Sequence, residues 1–479
     1  AVVSQLVPAI KCLYYHPLSK YPGPKLAAVT SFVALYWTFK GRLHEWTAEQ
    51  HRIYGPVVRL RPNELSFIDQ SAWKEIYSFR QGQKQMPKIL RTKPVNGRPN
   101  LMSATDEDHA RQRKLLAHAF SDQALRSQES ILRSYADLLV EKLNEVSGRG
   151  DTDVDIQEWL TFATFDIIGD LSFGKPFGNL ENGKATGWVG TFKHGIKQGV
   201  LFSAFRSIWS PFWDRFWTRQ LGPYVQAKRH QQGRYAAAAV NERLERKTER
   251  PDFISYCLRG SEGGKSLPRE ELASMFTIVA LAGCESPATA LSGTLYYLMN
   301  NPGPYRKLKE EVRAVEKDED LTLARISRME YLKAVIDESM RLYPPVPAAM
   351  DRVVPGDGAM IAGHWIPAGT WVGICQYAAN RSDKHFAEPL VFAPERYLES
   401  RDAKFQGDAR GVVQPFSLGP RNCIGQNLAR AEIRLILAKL TWHFDLELSS
   451  VGTDWLREQK AYGLWDKDPL LIRIHSARA

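Results

Sequence analysis

The chain has 479 residues, of which 44% are hydrophobic and 24% charged, so there is ample material for a core. A formal net charge of +11 favours an anionic membrane face or an acidic protein partner, and without an arginine-rich tail or zinc-finger spacing nucleic acid is set aside. The five cysteines are odd in number and widely scattered with no CxxC pair, which excludes a disulfide framework and indicates a reducing compartment.

The opening stretch, AVVSQLVPAIKCLYYHPLSKYPGP, is apolar but too short and interrupted to cross a bilayer. It reads as the tail of an anchor or as an irregular terminus. YGPVVRLRPNELSFID then predicts two short strands, Val57 to Arg61 and Leu65 to Ile68, around Pro62-Asn63. Helical patterns follow over His109 to Phe120, Leu125 to Val146, Ile156 to Leu171 and Tyr224 to Lys247. They continue over Pro268 to Asn300, Tyr305 to Val315 and Tyr331 to Tyr343, and a second hairpin is expected near Met360 to Cys375. The expected class is mainly α with a small β-rich part and no flexible linker.

The helix over Pro268 to Asn300, with Ser266 as candidate cap, would be about 50 Å long. Its apolar stripe of Leu272, Met275, Phe276 and Val279 continues into Ala282, Gly283, Ser286 and Ala290, small residues where bulk is expected. Pro287 lies on the same run, where its ring removes a donor and clashes with the carbonyl of Gly283. Further on, PFSLGPRNCIGQNLARAE places Phe416, Gly419, Arg421, Cys423 and Gly425 in F-x-x-G-x-R-x-C-x-G spacing. That is a loop offering one thiolate to a metal, with glycines for tight turns. Leu428, Ala431, Leu435, Ala438 and Trp442 keep helical spacing afterwards, so Cys423 is expected at a helix N-terminus that lowers its thiol pKa.

With these residues the chain resembles the cytochrome P450 family of haem-thiolate monooxygenases, from YPGP at Tyr21 to DPLLIRI ending at Ile474. The resemblance implies a fold with haem b between the long central helix and the cysteine loop, with Cys423 as axial iron ligand. A thiolate pushes electron density onto iron and favours O–O cleavage. It implies that His109 and Arg113, at i, i+4 in DEDHARQRKLLAHAF, together with Arg352 and Arg421, bind the haem propionates. Glu338 and Arg341 of DESMRLYPP with Arg396 of FAPERYL resemble the family's buried structural network. Ala282, Gly283, Glu285 and Ser286 match A/G-G-x-D/E-T, in which small residues let the backbone approach the ring while Glu285 and Ser286 relay protons. Here serine replaces the usual threonine, and Pro287 is expected to make an opening in the helix obligatory, leaving the Gly283 carbonyl for water.

The segments HPLSKYPGPKLAA, FDIIGDLSFGKPFG and DHARQRKLLAHAFS resemble the branch used by filamentous fungi in secondary metabolism. The resemblance implies a lipophilic substrate, with Met86, Met102, Phe276, Val279, Pro347, Met350, Leu464 and Trp465 as pocket contributors. It also implies oxygen and NADPH-derived electrons as co-substrates, an NADPH-dependent flavoprotein reductase as partner, and cytochrome b5 as a further one. Arg430, Arg434 and Lys114 offer a basic face for such an acidic partner. The family setting is the cytosolic face of the endoplasmic reticulum membrane, with residues 1–20 the remnant of an anchor or linker and 21–479 one monomeric catalytic domain. The aromatic run Phe202 to Trp217 fits either core or a membrane interface, and Cys284 and Cys375 fit packing. Two alternatives use the same scaffold: a diverted oxidation such as ring coupling or desaturation, and a non-catalytic haem sensor.

Overall fold

The computed structural model describes residues 7, 9–80, 85–89, 98–206, 211–246, 250, 252–259, 267–449 and 454–477. Its longer helices are α1 (Leu43–Tyr54), α2 (Asp106–Ala117), α3 (Asp122–Val146), α4 (Ile156–Phe173), α5 (Gly187–Arg206) and α6 (Pro211–Glu245). They continue as α7 (Arg269–Asn300), α8 (Pro302–Arg313), α9 (Glu330–Leu342) and α10 (Gln426–His443). Local chemistry sets several of these ends. Thr105 caps α2 by accepting from the Asp108 amide, Ser121 caps α3 through Ala124, and Asp155 caps α4 through Gln157. Gly174 closes α4 in the left-handed region at φ 72°. Helix α6 starts earlier than its sequence pattern, running through Pro223, and Ser266 falls outside the described residues.

The β part is small. Strands β1 (Val57–Arg61) and β2 (Glu64–Phe67) pair antiparallel, with Val57 opposite Phe67. Further strands are β3 (Arg352–Val353), β4 (Ala359–Ile361), β5 (His364–Ile366) and β6 (Trp371–Ile374). The expected second hairpin is confined to β4 and β5, because β6 leaves it to pair parallel with β2 and antiparallel with β3. A C-terminal hairpin joins β7 (Lys460–Tyr462) to β8 (Leu464–Asp466).

One large buried cluster joins α3, α4 and α7 to α10, and a second lies on the sheet around Leu65, Phe67, Trp73 and Val372. Helix α7 runs through the first cluster. It is apolar and long enough to span a membrane, yet 72% of its most apolar window is buried inside the protein. The expected opening at Pro287 is not found: α7 is continuous from Arg269 to Asn300. The packing around it explains the tolerance, since proline deletes a single donor while Pro287, Ala288 and Leu291 are held in a buried environment.

Two buried histidines brace α1. His51 bridges the Gly55 carbonyl at 2.9 Å and the Ser66 hydroxyl at 2.8 Å, while His44 lies edge-on to Tyr377 and Trp465, each at 4.8 Å. Burial pushes His44 down to about 3, aided by Arg381 and Arg42, and pushes His51 down to about 4. Their folded pKa values lie below the unfolded value, so the unfolded chain binds protons first. Stability is therefore expected to fall as pH drops below about 6.5, with a slope of up to about 1.4 kcal/mol per pH unit for each histidine. Urea unfolding between pH 7 and 4 checks this, and H44F should remove one proton's worth of that slope.

Candidate active site

The cysteine loop is shaped by backbone requirements. Gly419 sits at φ 74°, and a Cβ there would come within 2.1 Å of the Tyr77 carbonyl oxygen, so no other residue fits. The Cys423 amide donates to the Phe416 carbonyl at 2.9 Å, closing the loop. Arg113 of α2 donates to the Asn422 carbonyl at 2.7 Å, and the guanidinium of Arg430 lies 4.9 Å from the centre of the Phe416 ring. These contacts fix the loop ahead of α10, for which Gly425 is the N-cap.

Of the five cysteines, Cys423 is the exposed one, whereas Cys257, Cys284 and Cys375 are buried and Cys12 is intermediate. Cys284 and Cys375 are packing residues: their thiols donate to the carbonyls of Leu281 and Pro347. The expectation of a lowered Cys423 pKa is corrected. Protein surroundings push the thiol up, outweighing the Gly425 amide and Arg113, which act the other way. Coordination itself deprotonates a thiol, so a metal bound at Cys423 would supply the thiolate that the helix terminus alone does not.

Beside the loop lies a cavity of about 470 Å³ lined by Tyr77, Met86, Asp106, His109, Arg113, Lys114, Arg352 and Arg421, among others. All four expected propionate partners are thus brought together. Arg421 is paired with Asp106 at 2.7 Å, but among the described residues Arg113 and Arg352 make no ion pair. Lys88, which no motif identified, forms a β-bridge with Arg352 and is pushed down to about 7 by burial and by Arg352 and Arg421. His109 is pushed to about 4 by burial and the cations Arg421, Lys88 and Arg113. At neutral pH it is a hydrogen-bonding imidazole rather than a charge. This surplus of positive groups suits a ligand carrying carboxylates. Among the described residues no three His, Cys, Asp or Glu side chains group to hold a metal ion. A single accessible thiol beside a cationic cavity therefore fits haem, whose porphyrin supplies the remaining nitrogen ligands.

On α7, Ala282 is the one exposed residue between Glu271 and Met299. Ser286, one turn on, donates its hydroxyl hydrogen to the Ala282 carbonyl at 2.6 Å. Gly283 also has a packing reason to be small, since a Cβ there would lie 2.6 Å from Ile168 of α4. Glu285 is not free either. Its carboxylate pairs with Lys467 at 2.5 Å, and Lys467 also donates to Thr289 at 2.8 Å.

Among the described residues, the expected pocket residues fall in several places. Met86 lines the cationic cavity, while Leu464 and Trp465 line a niche of about 20 Å³ with Glu285. Phe276 and Val279 are buried, Phe276 lying 6.1 Å from Phe173 in edge geometry, because α7 turns that face to α4. Trp465 stacks on Tyr343 at 4.6 Å and donates to the Pro344 carbonyl at 2.8 Å, so it is a core residue. Met102 is 55% exposed, Met350 is half-buried, and the carbonyl of Pro347 accepts from the Tyr377 amide at 3.1 Å. The run Phe202 to Trp217 lies partly outside the described residues.

The trio of Glu338, Arg341 and Arg396 is fully buried. Arg341 contacts Glu338 at 2.7 and 2.8 Å and donates to the carbonyls of Asn380 and Pro389, each at 2.7 Å. Arg396 contacts Glu338 at 3.0 Å and also pairs with Asp408, which the sequence motifs had not marked. The proposed basic face is reduced by Arg430, which pairs with Asp337 at 3.1 Å. Arg434 is half-buried beside it.

A family model for cytochrome P450 matches residues 22–472. The chain is 40% identical to cytochrome P450 monooxygenase astJ of Aspergillus oryzae, over 97% of this chain and 93% of that one. It is 42% identical to an averantin hydroxylase of Dothistroma septosporum, covering 96% and 87%, and 38% identical to cytochrome P450 monooxygenase FUM2 of Gibberella moniliformis, covering 97% and 99%. The chain therefore belongs to the cytochrome P450 family. It is an oxidoreductase of the monooxygenase type, and its family implies a haem-thiolate iron cofactor.

Two glycines give a contrasting test of the loop. G419A is expected to lower the melting temperature and haem retention markedly, because positive φ and a backbone collision add, at about 1–3 kcal/mol for the strain alone. G425A, whose Cβ would meet nothing nearer than 3.7 Å, should change both far less. Calorimetry and the haem-to-protein absorbance ratio read the difference.

Proposed function

We propose that this chain inserts one oxygen atom from O2 into a lipophilic secondary-metabolite intermediate, with electrons from NADPH delivered by a separate flavoprotein reductase. The single observation that carries this is the exposed thiol of Cys423 in a rigid loop beside an under-neutralised cationic cavity. Residues 21–479 act as one catalytic domain. In it Cys423 would hold haem iron, and Arg113, Arg352, Arg421, Lys88 and His109 would hold the propionates. The haem-thiolate supplies oxygen activation, which a thiolate ligand favours by pushing electron density towards iron.

The chain's own residues manage position and protons. The Ser286 oxygen, its hydrogen committed to Ala282, can accept a hydrogen bond from water, and the Glu285 carboxylate, one residue away and paired with Lys467, would act as a proton relay once turned towards it. The names of the relatives, among them averantin hydroxylase, support hydroxylation of a lipophilic small molecule, whether polyketide, terpenoid or alkaloid-like. Membrane association is supported by exposed apolar side chains close together in the chain: Tyr14, Tyr15, Leu26, Phe32, Tyr36 and Phe39 are 40–79% exposed. They suit the cytosolic face of the endoplasmic reticulum.

C423A is expected to abolish the thiolate-type absorption band of the reduced, carbon monoxide-bound protein, and persistence of that band would overturn the assignment of the ligand. With a competent reductase and isotopically labelled dioxygen, label should enter the product. Turnover without label in the product would instead identify a desaturation or coupling reaction.

A further inference from the structure

Lys467 belongs to no motif read from the sequence, yet it is buried with its side chain 1% exposed and its ammonium divided between Glu285 and Thr289 of α7. The residue before it, Asp466, ends β8 and accepts from Lys197 of α5 at 2.7 Å. Lys197 in turn lies 5.1 Å from the centre of the Tyr462 ring on β7. Two consecutive residues of the C-terminal hairpin thus hold two different helices by opposite charges. Glu285 is turned towards this hairpin, into the niche it shares with Ile196, Lys197, Leu464 and Asp466, and not into the cavity lined by His109 and Arg113.

A buried ion pair contributes little net stability compared with a well-packed apolar pair of the same volume, because desolvation offsets the attraction. What it does fix is direction: a carboxylate with a dedicated buried cation has one preferred orientation. Glu285 adjoins Ser286 and lies one turn from exposed Ala282, so that direction decides whether its carboxylate oxygens face the Ala282–Ser286 side of α7.

We propose that Lys467 is a positioning residue for Glu285, holding the carboxylate towards the C-terminal hairpin and away from the Ala282–Ser286 face, with Asp466 and Lys197 tying that hold to α5. The inference rests on the haem-thiolate reading given above. Loss of the Lys467 ammonium releases that hold and leaves the Glu285 carboxylate able to turn towards Ser286.

The test uses the holoenzyme and carbon monoxide as probe, since the infrared stretch of carbon monoxide on reduced haem senses polar groups over the iron. K467M should shift this band and raise the peroxide released per NADPH consumed in the presence of reductase. K467R should restore the wild-type values. The double variant E285Q/K467M should return the band to its wild-type position, which a merely structural role for Lys467 would not do. Should K467M fold poorly, T289V removes one of the two acceptors of Lys467 and should shift the band in the same direction by less. A carbon monoxide band and peroxide ratio unchanged in both K467M and T289V would overturn the inference alone. Absence of a thiolate-type carbon monoxide spectrum in the wild type would overturn the haem-thiolate reading and this inference with it.

Discussion

The buried carboxylate of Glu338 is the point on which the rest of the site-bearing half depends. It receives Arg341 from its own helix, Arg396 from the segment beyond the sheet, and the Ala393 amide at 2.9 Å. Arg341 and Arg396 then spend their remaining donors on the carbonyls of Asn380, Ala387, Pro389 and Val391. From Arg381 to Ala393, where no helix or strand satisfies the backbone, carbonyls are thereby held by two guanidinium groups. Removal of one partner would leave an uncompensated charge in a place without water, at a cost of about 3–5 kcal/mol. The cysteine loop follows this stretch in the chain and inherits its position.

Close approach of backbone segments is the second recurring device. Gly419 rests against the Tyr77 carbonyl, Gly283 against Ile168, and Gly293 against the Tyr343 ring, where an added Cβ would come within 2.3 Å. Two of these lie on α7, so the long helix is set laterally by its neighbours α4 and α9. Lateral clamping of this kind lets α7 carry Pro287 without a break, since the lost hydrogen bond is a small part of what holds the helix in place.

The overall architecture was legible because its signals are local and repeated. Periodicity located most helices to within a few residues, and the strand pair around Pro62-Asn63 was displaced by one residue at most in β2. The loop motif and the Glu338, Arg341 and Arg396 trio were legible because fixed spacing carries their chemistry. Partners distant in sequence were not: Lys467 meets Glu285 across 182 positions, Asp408 belongs to no spaced pattern, and Lys88 reaches Arg352 only through β-bridging. Smallness at Gly283 and burial at Phe276 and Trp465 were visible in the residue types, but which neighbour each faces is decided by packing. Pro287 misled for the same reason, as its local penalty is outweighed by the surrounding core.

The hydroxyl of Ser286 has a directional consequence. Ser286, Thr289, Ser292 and Thr294 all donate to the carbonyl four residues back, at 2.6 to 2.7 Å, so each hydrogen points along the helix towards its N-terminus. The outward side of each oxygen presents lone pairs only. Water meeting Ser286 from that side would therefore donate to it, and the hydroxyl could donate elsewhere only by giving up the Ala282 carbonyl. Serine, with one heavy substituent on Cβ rather than two, has more χ1 freedom than threonine, so at this position the bond to the Ala282 carbonyl, rather than a second substituent, holds the oxygen in its orientation.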